Sequence, residues 1–283
     1  MKIILFVFSL RKGGAERLLL QIANHLISQG YEVVVLSITS TDEYQETEYS
    51  KIERDFLIAH DKYQWPYVVP QILSKLREFF KHNSCDLVLI FTPMLAILFA
   101  ASGIKKKCIH VIQGYGSLRR PFSIKGLIYN LLDKAAFLKL RYDVIVPTAQ
   151  LKSFVLSALP ISRKKIKVLS SGVDEQILLP QEAKHKFQDL NITMLGTVSK
   201  HKGQRYSIEV VKELLKLNLF SSVCISIIGS GSDIDYIQRK VNDAGLNQHI
   251  KLLGRRDDAF ELIARSHIFL HLSESEGLPL VIL

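Results

Sequence analysis

The chain has 283 residues, is 48% apolar and carries a formal net charge of +10. That length suits two domains, and that apolar fraction excludes a disordered chain. No apolar run reaches the ~18 residues of a membrane span, and the positive balance points to an anionic partner.

KIILFVF, residues 2–8, predicts a buried first strand; basic residues follow it directly, without the small-residue cleavage site of a secretory signal. GGAERLLLQIANHLISQG, residues 13–30, predicts a helix, with Leu18, Leu19, Ile22, Ala23, Leu26 and Ile27 on one face and Gly30 as a stop. YEVVVLSI, residues 31–38, is continuous and β-branched, as in a parallel sheet covered on both faces. CDLVLIF, KCIHVIQ and YDVIVPT predict further strands, each with helical sequence after it. This is the rhythm of a doubly wound α/β sheet.

The rhythm breaks at residues 159–190, where Pro160, Gly172 and Pro180 interrupt a polar passage. The expected domains are therefore 1–165 and 191–283, joined by a linker at 166–190. In the second domain the strands NITMLGTVS, VCISIIG, IKLLG and HIFLHLS alternate with the helices GQRYSIEVVKELLKLN, SDIDYIQRKVNDAG and DDAFELIARS. The closing SESEGLPLVIL reads as a helix cut at its first turn.

Charge is uneven. Residues 101–167 hold fourteen Lys and Arg against two acids, Asp133 and Asp143, a balance of +12. Such a stretch is either a solvated basic surface or a face for anionic lipid. A nucleic-acid partner is not expected, since no recognised binding motif accompanies the charge. Cys85, Cys108 and Cys224 are odd in number, lack metal-like spacing and read as reduced core thiols of a cytoplasmic protein.

Ligands of open α/β sheets bind beyond the carboxyl ends of the strands. After the first strand, Gly13 and Gly14 open a helix, either as a tight turn or as a close approach to an anion. No G-x-G-x-x-G is present, against a dinucleotide cofactor. In the second domain Gly196, Thr197, Lys202 and Gly203 follow one strand, Gly229 and Gly231 the next, and Arg255 a third. Lys202 is either an exposed loop residue or a cation for phosphate. Glu276, just before Gly277 and Leu278, either caps a helix together with Ser273 or holds a ligand hydroxyl.

In their order and spacing, GGAER, GT…KHKG, IIGSG, LLG and S-x-S-x-G-L-P-L resemble the retaining glycosyltransferases of family 4, across essentially the whole chain. The resemblance implies a GT-B fold, two Rossmann-like domains facing a cleft, with a nucleotide-diphosphate sugar bound mostly by the second. It implies Glu276 on the donor sugar and Lys202 on the diphosphate, both catalytic. Gly13, Gly14, Gly196, Thr197, Gly203, Gly229, Gly231, Arg255, Gly277 and Leu278 fall on the donor side. The family's usual His after a first-domain strand aligns with Gln113, placing Gln113 and Gly114 on the acceptor side and leaving His110 as a strand residue. Thr197 stands where an Arg often precedes the Lys, with Lys200 or Arg205 as possible substitutes. The family's second Glu would fall one residue past Leu283, so the second domain is expected to be incomplete. The implied reaction transfers a sugar to a cell-envelope polysaccharide, lipopolysaccharide or lipid-linked acceptor, without metal or other cofactor. An inactive truncated remnant is the alternative. The expected location is cytoplasmic, peripheral at the inner face of the membrane.

Overall fold

The computed structural model describes residues 1–11, 13–44, 49, 51–59, 67–115, 124–172 and 189–283. Two compact units result, one of 1–171 with 277–279 and one of 172–276 with 280–283.

The first unit is a seven-stranded parallel sheet in the order β3-β2-β1-β4-β5-β6-β7. Its strands are β1 (Lys2–Val7), β2 (Glu32–Thr39), β3 (Glu53–Ile58), β4 (Leu87–Ile90), β5 (Cys108–Val111), β6 (Asp143–Val146) and β7 (Ile166–Val168). Alternation along β1 splits its apolar residues between two cores. Ile4 and Phe6 face α2 (Val69–His82) and α3 (Pro93–Ser102) through Ile72, Leu76 and Phe99. Ile3, Leu5 and Val7 face α1 (Gly14–Ser28) through Leu19, Leu20 and Ala23. The helices begin where sequence allows. Thr92 Oγ1 accepts from Leu95 N at 3.4 Å with Pro93 behind it, and Thr148 Oγ1 accepts from Leu151 N at 3.2 Å at the start of α5 (Ala149–Ala158). α4 (Ile124–Leu140) packs beside α3.

The second unit is a four-stranded parallel sheet, β10-β9-β8-β11. It comprises β8 (Asp189–Leu195), β9 (Ser222–Ile228), β10 (Ile250–Gly254) and β11 (Ile268–Phe269), with helices α6 (Ser207–Leu217), α7 (Ile234–Asp243) and α8 (Ala259–Arg265). Leu190, Ile192 and Met194 of β8 share one core with Ile208, Val211, Ile237 and Val241. In both sheets the winding direction reverses beside the first strand, between β1 and β4 and between β8 and β11. Those reversals are the topological switch points at which such sheets bind ligands.

Three expectations change. Residues 166–168, assigned to the linker, pair with β6 through Val144↔Ile166 and Val146↔Val168 and close the first sheet. Three residues are too few to show a periodic pattern. β11 shrinks from the expected 267–273 to two residues, because its end bends to meet the loop after β8. Residues 280–282 form a turn, and no helix is assigned over 277–283. Most of the expected linker, 173–188 with Pro180, lies outside the described residues, as do Arg119 and Arg120 of the basic stretch.

Candidate functional site

The chemistry-bearing side chains of the second unit gather at its switch point. Lys202 closes a 3-10 turn, Lys200–Lys202, after β8, and Glu276 lies beyond β11. The Lys202 ammonium donates to Glu276 Oε1 in a close ion pair. His271 Nε2 lies 3.3 Å from the same oxygen. Burial pushes the Glu276 carboxyl up. Hydrogen bonds from Lys202 and Ser273, with the attraction of Lys202 and of His271, outweigh it and hold the pKa below the ordinary value of 4.5. Glu276 is thus an anion at neutral pH, able to accept hydrogen bonds and unable to donate one.

Backbone contacts fix this pair. Glu274 N donates to the His201 carbonyl at 2.8 Å, and Ser273 Oγ, whose single proton is shared between that carbonyl and Glu276, lies 3.2 Å from it. Ser273 therefore ties β11 to the lysine turn and caps no helix. Gly203 adopts φ 76°, and a Cβ there would lie 2.1 Å from the Leu272 carbonyl oxygen. Only glycine permits that backbone and that approach. Gln204, buried beside it, donates through Nε2 to Thr197 O at 3.1 Å and pins the loop from within. Thr197 itself is exposed, contributing its carbonyl to the loop.

Gly229 and Gly231 have a structural reason of their own. A Cβ at Gly229 would meet Gly196 O at 2.0 Å, and one at Gly231 would meet Val198 O at 2.1 Å. They let the loops after β8 and β9 lie backbone against backbone. Arg205, a candidate substitute for the arginine absent at 197, already has partners. It is paired with Asp233 and sits 5.2 Å over the Tyr236 ring. Lys200 is exposed at the head of the turn. Arg255, exposed after β10, donates from Nε to Ser230 Oγ at 2.6 Å. Gly277 and Leu278 group with the first unit.

In the first unit, Gly13 N donates to Tyr44 Oη at 3.2 Å, and Gly14 begins α1. Gly13 is extended at φ −161°, a conformation open to any residue. Glu16 occupies the first turn, its pKa raised chiefly by burial and further by Glu43. Gln113 and Gly114 follow β5 and are half-buried. His110 is a strand residue of β5, 1% exposed, with its ring edge-on to Tyr142 at 5.3 Å. Burial pushes its pKa down to about 3. Cys85 and Cys108 are buried free thiols, and burial pushes Cys108 up to about 12.

Sequence reasoning missed His271 and Gln204 as parts of this site, and read Ser273 beside Glu276 only as a helix cap. Only their place at strand ends could have marked them.

Two doubly wound parallel units, with a cation–carboxylate pair at the switch point of the second, define an α/β protein of the two-domain doubly wound class with a candidate ligand site. Residues 12–177 match the model of Glycosyltransferase Family 4, and residues 178–283 match that of Glycosyl transferases group 1. The chain belongs to glycosyltransferase family 4, and its fold is of the GT-B class. It is 22% identical over 277 residues to an uncharacterized glycosyltransferase of Haemophilus influenzae, covering 96% of this chain and 73% of that one. It is 28% identical over 228 residues to a UDP-Gal:alpha-D-GlcNAc-diphosphoundecaprenol alpha-1,3-galactosyltransferase of Escherichia coli. That match covers 75% of this chain and 58% of the relative, less than two thirds of its length. Anabaena HepE, solved with UDP and glucose, is similar with a TM-score of 0.75 and 17% identity, over 100% of this chain and 77% of that one.

Proposed function

We propose that the chain transfers a sugar, with retained anomeric configuration, from a nucleoside-diphosphate donor to a cell-envelope glycan or lipid-linked acceptor. The observation that carries this reading is the Lys202–Glu276 pair at the β8/β11 switch point. A diphosphate arriving there competes with Glu276 for the Lys202 ammonium. The carboxylate left behind stays ionised and accepts from sugar hydroxyls. Lys202 then faces the oxygens on which charge builds as the C1–oxygen bond to the diphosphate breaks. An acceptor hydroxyl oxygen replaces that bond, and its proton ends on the diphosphate or in water. Lys202 and Glu276 are the catalytic pair of this reading. The glycine loops, Thr197 and Arg255 border the donor, and Gln113 and Gly114 the acceptor.

The E. coli relative's name couples UDP-galactose to a diphosphoundecaprenol acceptor, which supports a nucleotide-sugar donor and a lipid-linked acceptor. Among the described residues no helix is long and apolar enough to cross a membrane, so such an acceptor would be met from a peripheral position. The donor serves as substrate, and the reading calls on no metal or other cofactor.

The test is transfer from UDP-glucose and UDP-galactose to diphosphate-linked polyprenyl sugars, with the anomeric configuration read by proton NMR coupling. Transfer with an α product from an α donor is expected. A folded chain that released no nucleoside diphosphate from either donor, or gave a β product, would contradict the proposal.

A further inference from the structure

We infer that His271 is a positioning residue for Glu276, the donor that holds this carboxylate once Lys202 has turned to a ligand phosphate. This role deepens the reading proposed above and rests on it, while its first test needs no nucleotide.

Two donors address one acceptor. The Lys202 ammonium and His271 Nε2 both lie against Glu276 Oε1, the imidazole nitrogen at 3.3 Å. That distance is within reach of a hydrogen bond, yet His271 Nε2 is buried and makes no aligned one. A buried nitrogen without a partner is costly and calls for a reason. The reason here is that Oε1 is turned to the ammonium. A carboxylate oxygen has lone pairs for two donors, so a small rotation of Glu276 satisfies the ring when the ammonium leaves. With a proton on Nε2, in the neutral tautomer or the imidazolium, the ring donates.

The two donors differ in freedom. Backbone bonds hold the chain on either side of His271: Leu270 N donates to Thr193 O at 2.9 Å, and Glu274 N to His201 O at 2.8 Å. Its ring lies beside that of Phe269, with the planes 20° apart and the centroids at 6.4 Å. The His271 side chain is 16% exposed, against 28% for Lys202. Lys202 also ends a flexible four-carbon stem. A ligand phosphate therefore draws off the ammonium and leaves the imidazole. Without His271, Glu276 would follow the ammonium or take a proton, since burial disfavours an unpaired carboxylate. With it, the carboxylate stays ionised and in place for a sugar hydroxyl.

The first experiment is a double-mutant cycle in thermal melts of the full chain without nucleotide. Lys202→Met and His271→Leu each leave Glu276 one nitrogen donor, whereas together they leave it the Ser273 hydroxyl alone. The double variant should melt about 3 °C lower than the two single losses add up to. The excess should vanish when Glu276→Gln is built into all four proteins. Additive losses, or an excess that survives Glu276→Gln, would overturn the inference. The second experiment reads the reaction. His271→Leu should lower kcat about tenfold while UDP affinity stays within about twofold. His271→Gln, whose amide N–H falls near the place of Nε2, should keep kcat within about threefold of the wild type. A leucine variant as fast as the wild type, one that loses UDP affinity along with kcat, or a glutamine variant as slow as leucine would each overturn it. If leucine there prevents folding, His271→Asn, whose amide stops short of the Nε2 position, replaces it in both experiments. A wild type inactive on every donor would defeat the reading above, and the melts would still decide whether His271 holds Glu276.

Discussion

At the scale of single residues, the account rests on two titrating side chains with opposite surroundings. Glu276 has its pKa lowered, so the interactions it makes are present above the ordinary carboxylate value of 4.5 and lost as pH falls through its folded value. Glu276→Gln keeps the shape, removes the charge and leaves Lys202 free for phosphate. It should keep affinity for bare UDP within about twofold while lowering turnover at least tenfold, since a charged hydrogen bond contributes roughly 1.5–3 kcal/mol. Calorimetry and initial rates on one preparation check both halves, and a collapse of UDP affinity would reverse the assignment. His110 loses stability in the same direction of pH from the opposite cause, since burial disfavours its charged form. Its folded pKa of about 3 lies below the ordinary 6.5, so the unfolded chain binds a proton that the fold refuses. Stability then falls as pH drops below 6.5, by about 2 kcal/mol on reaching pH 5. His110→Phe, beside the Tyr142 ring, should flatten that slope in urea melts at pH 7 and pH 5; an unchanged slope would show that burial of His110 is not its source. The place of His110 on a strand was legible from the apolar run around it. Its ring contact with Tyr142 was not, because it depends on β5 lying beside β6.

At the scale of elements, the loop after β8 is held by a glycine with two demands on it. Gly203 combines φ 76° with a carbonyl oxygen 2.1 Å from any Cβ, whereas Gly245 has φ 68° and open space around it. Gly245→Ala should cost about 1–2 kcal/mol, the ordinary left-handed penalty. Gly203→Ala should cost clearly more, roughly 3 kcal/mol, because the backbone at Leu272 must also move. Urea melts of the two variants compare them directly, and equal losses would mean that the close approach carries no weight. The long β-branched runs made β1, β2 and β9 legible in sequence, since buried parallel strands need them. β3 escaped notice. Its residues ERDFLI are largely exposed at the sheet edge and carry three charges in the first three positions, so no apolar period marks it. The same edge position hid β7, whose IKV is paired on one side alone.

At the scale of the whole molecule, charge is divided unevenly along the chain. The basic excess of residues 101–167 is +12, and the remaining residues, with 23 Lys and Arg against 25 acids, net to −2. That glycines, a lysine and a glutamate stand after strands was legible from the alternation of the elements. The ion pair was not, since Lys202 and Glu276 are 74 residues apart and meet only because β11 returns to lie beside β8. Long-range pairing of that kind comes from topology, which a single sequence carries only through the alternation of its elements. The central claim is that Lys202 at this switch point receives a nucleoside diphosphate. Calorimetric titration of UDP into the wild type and into Lys202→Ala tests it most directly. The account predicts binding to the wild type that weakens at least tenfold in the variant, with unchanged thermal melting in the absence of nucleotide. Equal UDP affinity in the two folded proteins would contradict it.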